Sequence, residues 1–234
     1  MKAASSLFRG LLIAFATFAM VLGLYIGIVE LSLQSLERAE SSADLDANAW
    51  AMSYQRAQTF ARWAPLNASA QDLAARLAQR GAAEFTSSPS DSIRLHQSAV
   101  EFGVKSLQLR PAWAATWLNL AASEFVLDAN GGAWRAALSR VFKIQDRNLR
   151  SQLALVKFRK QVETQLTPKE HQQFQAASGQ AQLDYPYDFT IAVIRLARPS
   201  WVCPEFDPAT FDPNHVLTEK VLVNIISVCE NSLN

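Results

Sequence analysis

Three histidines, two cysteines and a short acidic run are the residues of this 234-residue chain whose types could do chemistry. His96, His171 and His215 stand far apart in sequence. His171 follows Glu170, but no HExxH pattern exists, and no His or Cys sits at metal-ligand spacing. His96 follows Leu95 and is expected on or near a helix surface. His215 precedes Glu219 by four residues, so a contact within one helical turn accounts for it. Glu205, Asp207 and Asp212 lie close together but lack the Gly turn and terminal Glu of a helix-loop-helix calcium site, and they read as turn and cap residues. No nucleophile elbow, P-loop or GxGxxG is present, and Gly131-Gly132 reads as a turn between helices. These patterns assign no catalytic residue, no cofactor and no metal ligand, and the chain is not expected to be an enzyme.

Aromatic residues could still make contacts, because sugar rings present apolar faces on which indoles stack. Of the six tryptophans, Trp113, Trp117 and Trp134 fall on apolar helix stripes and read as core. Trp63 and Trp201 stand beside prolines at helix ends and are the better candidates for an exposed contact. The charge balance points away from nucleic acid: 22 basic and 21 acidic residues give a formal net charge of +1.

The elements that must position these residues begin with Gly10–Val29, a run without charge between Arg9 and Glu30. Its roughly 20 residues reach about 30 Å as a helix, the thickness of a bilayer's hydrocarbon core. The alternative is a cleavable signal peptide, whose apolar region is usually shorter; here the sequence after Glu30 continues as helix. An uncleaved anchor is the reading adopted, running past Glu30 into a partly exposed stalk. Lys2 and Arg9 on the short side, against Glu30, Glu37, Glu40, Asp44 and Asp46 beyond, place the N-terminus in the cytoplasm and the bulk outside.

Outside the cytoplasm a disulfide persists, and Cys203 and Cys229 are the only cysteines. A bridge closing a loop of about 25 residues is worth roughly 3 kcal/mol. The alternative is two separate buried thiols.

Beyond the anchor the apolar spacing is helical throughout. Stripes run through Trp50–Ala61, Ala70–Phe85, Leu95–Leu109, Trp113–Phe125 and Trp134–Ile144. A helix over about 147–165 is apolar on two faces. Thr167-Pro168-Lys169-Glu170 is a capping box with Pro at the first helical position. Thr86–Asp91 and Asp184–Asp188 read as turns. Four prolines in Pro199–Pro213 exclude a long helix there, and Leu217–Cys229 forms a last amphipathic one. The expected fold is all-α: an N-terminal transmembrane helix, then an antiparallel helical-hairpin array. The divisions are 1–30 (cytoplasmic N-terminus and anchor), 31–198 (helical domain) and 199–234 (Pro-rich loop and C-terminal helix).

Residues Ala99–Ile144 resemble the tetratricopeptide pattern: Pro111 closes one repeat, Trp117, Leu120 and Ala121 mark the next first helix, and Ala133 and Ala137 its second. Glu124, Ala137 and Gln145 depart from the consensus aromatic and closing Pro, and a plain helical bundle is the alternative. The anchor, the stretch Leu107–Ala121 and the segment Leu183–Cys203 together resemble VpsP-type proteins of bacterial exopolysaccharide biosynthesis. That resemblance implies a setting, cell-surface polysaccharide assembly, and no reaction; with the anchor and its flanking charges, the chain is then expected to be a single-pass inner-membrane protein with its bulk in the periplasm. It would be a non-catalytic adaptor for cell-surface polysaccharide assembly or export, with a polymerase, exporter or co-polymerase as partner. The competing expectation is a periplasmic carbohydrate-binding protein or enzyme using the loop from Trp201 to Asp212.

Overall fold

The computed structural model describes residues 2–42, 45–144 and 146–195, together with Asn214, His215, Glu219, Leu222 and Val223. Helices dominate, and no strand occurs among the described residues. The first, α1 (Lys2–Ser41), is continuous across the charge boundary at Glu30. Its stretch Phe15–Glu40 is long and apolar enough to cross a membrane, and almost none of that surface is buried. Phe15, Phe18, Met20, Leu24 and Ile28 are between 60% and 72% exposed.

Past Glu30 the helix is not a free stalk. Leu33 and Leu36 are buried against α2 (Ala47–Trp63) and α3 (Ala68–Arg80). Asp46 starts α2 by accepting the Ala49 N–H at 2.7 Å. Asn67 caps α3 in the same way, accepting from Ala70 at 3.0 Å. Each cap supplies an acceptor for an N–H that the helix itself cannot satisfy.

From α2 onward the first consecutive helices pack antiparallel, and cross-helix hydrogen bonds set their register. Gln71 donates to the Ala61 carbonyl, and the Trp50 indole to the Leu77 carbonyl, both at 2.8 Å. Alanines make this close approach possible: Ala57, Ala61, Ala70, Ala74 and Ala75 are all buried. At Gly81 the approach is closer still, because any Cβ there would run into the Trp50 ring. That residue opens a π-helical turn (Gly81–Phe85) at the end of α3.

The next helix, α4 (Pro89–Leu109), begins inside the polar segment expected to be a loop. Ser88 is its N-cap and Pro89 its first residue, a position where a missing N–H costs nothing. Between α4 and α5 (Ala114–Leu127), Trp117 donates to the Pro111 carbonyl at 2.8 Å.

A second core forms where α5 meets α6 (Ala133–Ile144), α7 (Leu149–Val162) and α8 (Pro168–Asp184). Leu120, Ala121, Trp134, Leu138 and Val141 are buried there, with Trp117 and Phe125 half-buried against them. The two apolar faces expected for α7 each find a partner. Leu155, Phe158 and Val162 join this core, while Val156 packs with Ala181 and Phe189.

The Thr167 capping box is complete. Glu170 accepts from the Thr167 N–H at 2.8 Å and also pairs with Arg135 on α6. The expected turn at Asp184–Asp188 is shorter than a turn: only Tyr185 separates α8 from α9 (Pro186–Arg195), again a helix with Pro at its start.

Candidate functional site

A concavity of about 1220 Å³ opens where the end of α1, α3, α5 and the α6–α7 connection face one another. Its wall is a ladder on α3 and the π-helical turn that follows it. Asp72, Arg76, Arg80 and Glu84 recur every four residues, so a single helix face carries acid, base, base, acid. Arg76 holds the centre. Its guanidinium bonds Asp72 at 3.0 Å, pairs with Glu40 of α1, and lies 3.9 Å from Glu37. Burial opposes its charge, but Glu40 and Asp72 outweigh burial and hold its pKa above the ordinary value.

Asp72 also accepts from the Thr116 hydroxyl of α5 at 2.6 Å, which ties α3 to α5, while Arg76 carries the link on to Glu40 of α1. Arg80 bonds Glu84 at 2.7 Å and the Ser42 carbonyl at 3.2 Å. It thereby fixes the point where the chain leaves α1.

Deeper in the groove, the Gln79 amide donates to the Asn119 carbonyl and to the Ser123 hydroxyl, the latter at 2.7 Å. The same hydroxyl lies 3.3 Å from Nδ1 of His96. His96 is therefore buried, contrary to the surface position expected for it, because α4 is covered by α3 on one side and α5 on the other. Burial lowers its pKa below the usual imidazole range, so the ring is neutral at pH 7. At one end of the groove, Arg110 stacks on Trp113 with its guanidinium carbon 3.5 Å from the ring centroid. Trp113, expected in the core, is half-buried and lines the groove instead. Burial lowers the Arg110 pKa, with Asp72 acting against that shift.

The other candidate residues that the structure describes lie apart from this groove. Trp63 stands at the end of α2 and is 78% exposed. His171 is half-buried on α8. His215 stacks on Tyr187 of α9, ring centroids 3.9 Å apart. Cys203, Cys229, Trp201, Glu205, Asp207 and Asp212 lie outside the described residues, and so do the Pro-rich loop and most of the expected last helix. Among the described residues, no group of three His, Cys, Asp or Glu side chains is gathered to hold a metal ion.

The sequence did carry a signal for the groove. An Asp-x₃-Arg-x₃-Arg-x₃-Glu ladder in a stretch otherwise mostly Ala, Leu and Gln sets four charges along one helix face. The small residues Ala115 and Ala122 opposite it leave the floor open to a ligand's backbone. Chemically, the site offers paired charges, amide groups and one indole, all suited to holding a polar segment.

The chain matches no protein-family model, no curated protein and no solved structure.

Proposed function

We propose that the protein is a non-catalytic, membrane-anchored helical-repeat adaptor whose groove receives an extended segment of a partner protein. The observation carrying this reading is the ladder on α3. Its charged groups are already engaged with one another, as Arg76 is with Glu40 and Asp72, and they line a groove rather than converge on one reacting atom. Pre-formed pairs of this kind exchange partners with an incoming polar peptide at little desolvation cost. The apolar length of α1 supports single-pass anchoring in a bacterial inner membrane. Its flanking charges favour a cytoplasmic N-terminus and a periplasmic domain. The antiparallel pairs from α2 to α6 are consistent with a tetratricopeptide-like array, a shape suited to binding peptides on its concave side.

The polysaccharide setting rests on the resemblance of Leu107–Ala121 and Leu183–Cys203, of which the first forms the end of α4, the Arg110–Trp113 turn and the start of α5 through Ala121. In that setting the partner is a polymerase, exporter or co-polymerase.

Photo-crosslinking in intact membranes tests the reading. A photoreactive residue at Val126, exposed at the groove, should capture an inner-membrane polysaccharide-assembly protein. The same residue at Met52, exposed on α2 away from the groove, should not. Equal capture from both positions, or capture of glycan alone, would remove the adaptor reading.

A further inference from the structure

We infer that the corner between α2 and α3, Trp63 to Leu66, is a second membrane contact: a foot that rests in the lipid interface beside α1 and sets the tilt of the helical domain. This rests on the reading of α1 as a spanning helix.

Chain geometry brings the corner there. From Ser41 back to Tyr25 is 16 residues of α1, about 24 Å of helix. α2 runs the opposite way for 17 residues, about 25 Å, and so returns the chain to the level of Tyr25. A contact confirms the level, since the Tyr25 hydroxyl lies 3.5 Å from the Trp63 carbonyl and donates to it. Tyr25 is four residues before Val29, where the uncharged run ends, so Trp63 stands about 6 Å inside that boundary. This is the depth at which Trp and Tyr collect in membrane proteins.

The surface at the corner suits lipid. Trp63 is 78% exposed and Leu66 84%, more than any other large apolar side chain described outside α1. Arg62, also exposed, precedes them and can reach the phosphate layer. The backbone of the turn is prepared for low water. Ala64 donates to the Phe60 carbonyl and Asn67 to the Ala64 carbonyl, each at 2.9 Å, and Pro65 has no N–H to satisfy. Between α1 and α2 an apolar cleft of about 790 Å³, walled by Ile28, Val29, Leu31, Phe60 and Trp63, opens beside the corner. It is continuous with the exposed face of α1, so the acyl chains that would surround α1 also fill it.

The test uses the full chain reconstituted into phosphatidylcholine vesicles, with or without bromine in the upper acyl chain, a contact quencher of indole emission. The expected result is that the wild type floats with the vesicles and is quenched, and that Trp63→Phe loses at least half of that quenching with unchanged helicity. Trp63→Tyr keeps an interfacial ring and should show the same loss, which covers the case of a poorly folded Phe variant. If both variants float and are quenched as strongly as the wild type, the foot is overturned and the anchor stands. A wild type that floats but is not quenched, because a second copy or another protein face covers Trp63, overturns the foot as well. A wild type that does not float overturns the anchor reading itself.

Discussion

The two halves of the helical domain are held together by different chemistry. Around α2 and α3 the core is mostly alanine and leucine, and polar side chains cross it: Gln71 and Asp72 are nearly buried, with Arg76 and His96 beside them. From α5 to α8 the core is aromatic. Trp134 and Phe174 are almost completely buried, and Trp134, Phe125 and Phe158 meet edge to face with centroids 5.4–6.3 Å apart. Large rings fill volume and fix register by shape, whereas alanine fixes only distance. The first half therefore takes its register from hydrogen bonds such as Gln71 to the Ala61 carbonyl and Trp50 to the Leu77 carbonyl, and Thr116 to Asp72 and Gln79 to Ser123 tie it to α5. The groove opens between the two halves: α1 and α3 supply its charged wall, and α5 with the α6–α7 connection stands opposite.

The largest expected effect comes from breaking the platform. Ala121 on α5 is fully buried in the aromatic core. Ala121→Arg would place an unpaired charge and excess volume between packed helices, at a cost of about 3–5 kcal/mol. Urea unfolding of the full chain in detergent should show a midpoint lowered enough that the second core is lost. An unchanged midpoint would mean that the α5–α6 register is wrong.

Next comes the close approach in the first half. Gly81→Ala forces the Trp50 ring off its place, which breaks the indole bond to the Leu77 carbonyl, and should cost about 1–3 kcal/mol. A blue-shifted or quenched tryptophan signal should disappear together with that stability. If Gly81→Ala is neutral, the alanine-spaced half is looser than its geometry requires.

Asp72 sharpens the contrast between engaged and idle charges. Asp72→Asn keeps the shape but removes the charge shared by Arg76 and Thr116, and should cost about 1–3 kcal/mol. Glu101→Gln, in the exposed pair with Lys105, should cost under about 1 kcal/mol. Equal effects would show that the ladder adds no register to the α3–α5 contact.

Much of this architecture could be read from residues whose effect is local. Thr167-Pro168-Lys169-Glu170 starts a helix by its own hydrogen bonds, and the capping box forms as its sequence requires. Pro89 and Pro186 misled for the same local reason: each looked like a breaker in a turn, yet each sits at a helix start, where φ near −65° and the missing N–H are favourable. His96 and Trp113 show where periodicity fails. A stripe identifies one buried face, but α4 is covered on two sides, so His96 beside the stripe is buried as well. Trp113 lies on a stripe yet precedes its helix, and stacking on Arg110 turns it to the groove. The Asp72–Glu84 ladder was visible as spacing. That it faces a groove depends on α1 and α5 arriving opposite it, which no local pattern encodes.

The smallest effect is a slope, and it isolates one ring of the polar half. Burial lowers the pKa of His96 in the folded protein from the ordinary value of about 6.5. Above that pH the ring is neutral in both states and adds no pH dependence. As pH falls through about 6.5, the unfolded chain takes up a proton that the folded chain resists. Stability therefore declines from about pH 6.5 downward until the folded pKa is reached. The Glu170 carboxyl works in a separate, more acidic window. Burial pushes its pKa up, but bonds from Arg135 and Thr167 outweigh that and hold it low, so its stabilising share declines as pH falls from the ordinary carboxylate value towards the lower folded one. Melting temperatures of the wild type between about pH 7 and pH 5 should fall more steeply than those of His96→Gln, whose amide can still bond the Ser123 hydroxyl without titrating. Parallel slopes for the two proteins would assign the decline to other groups.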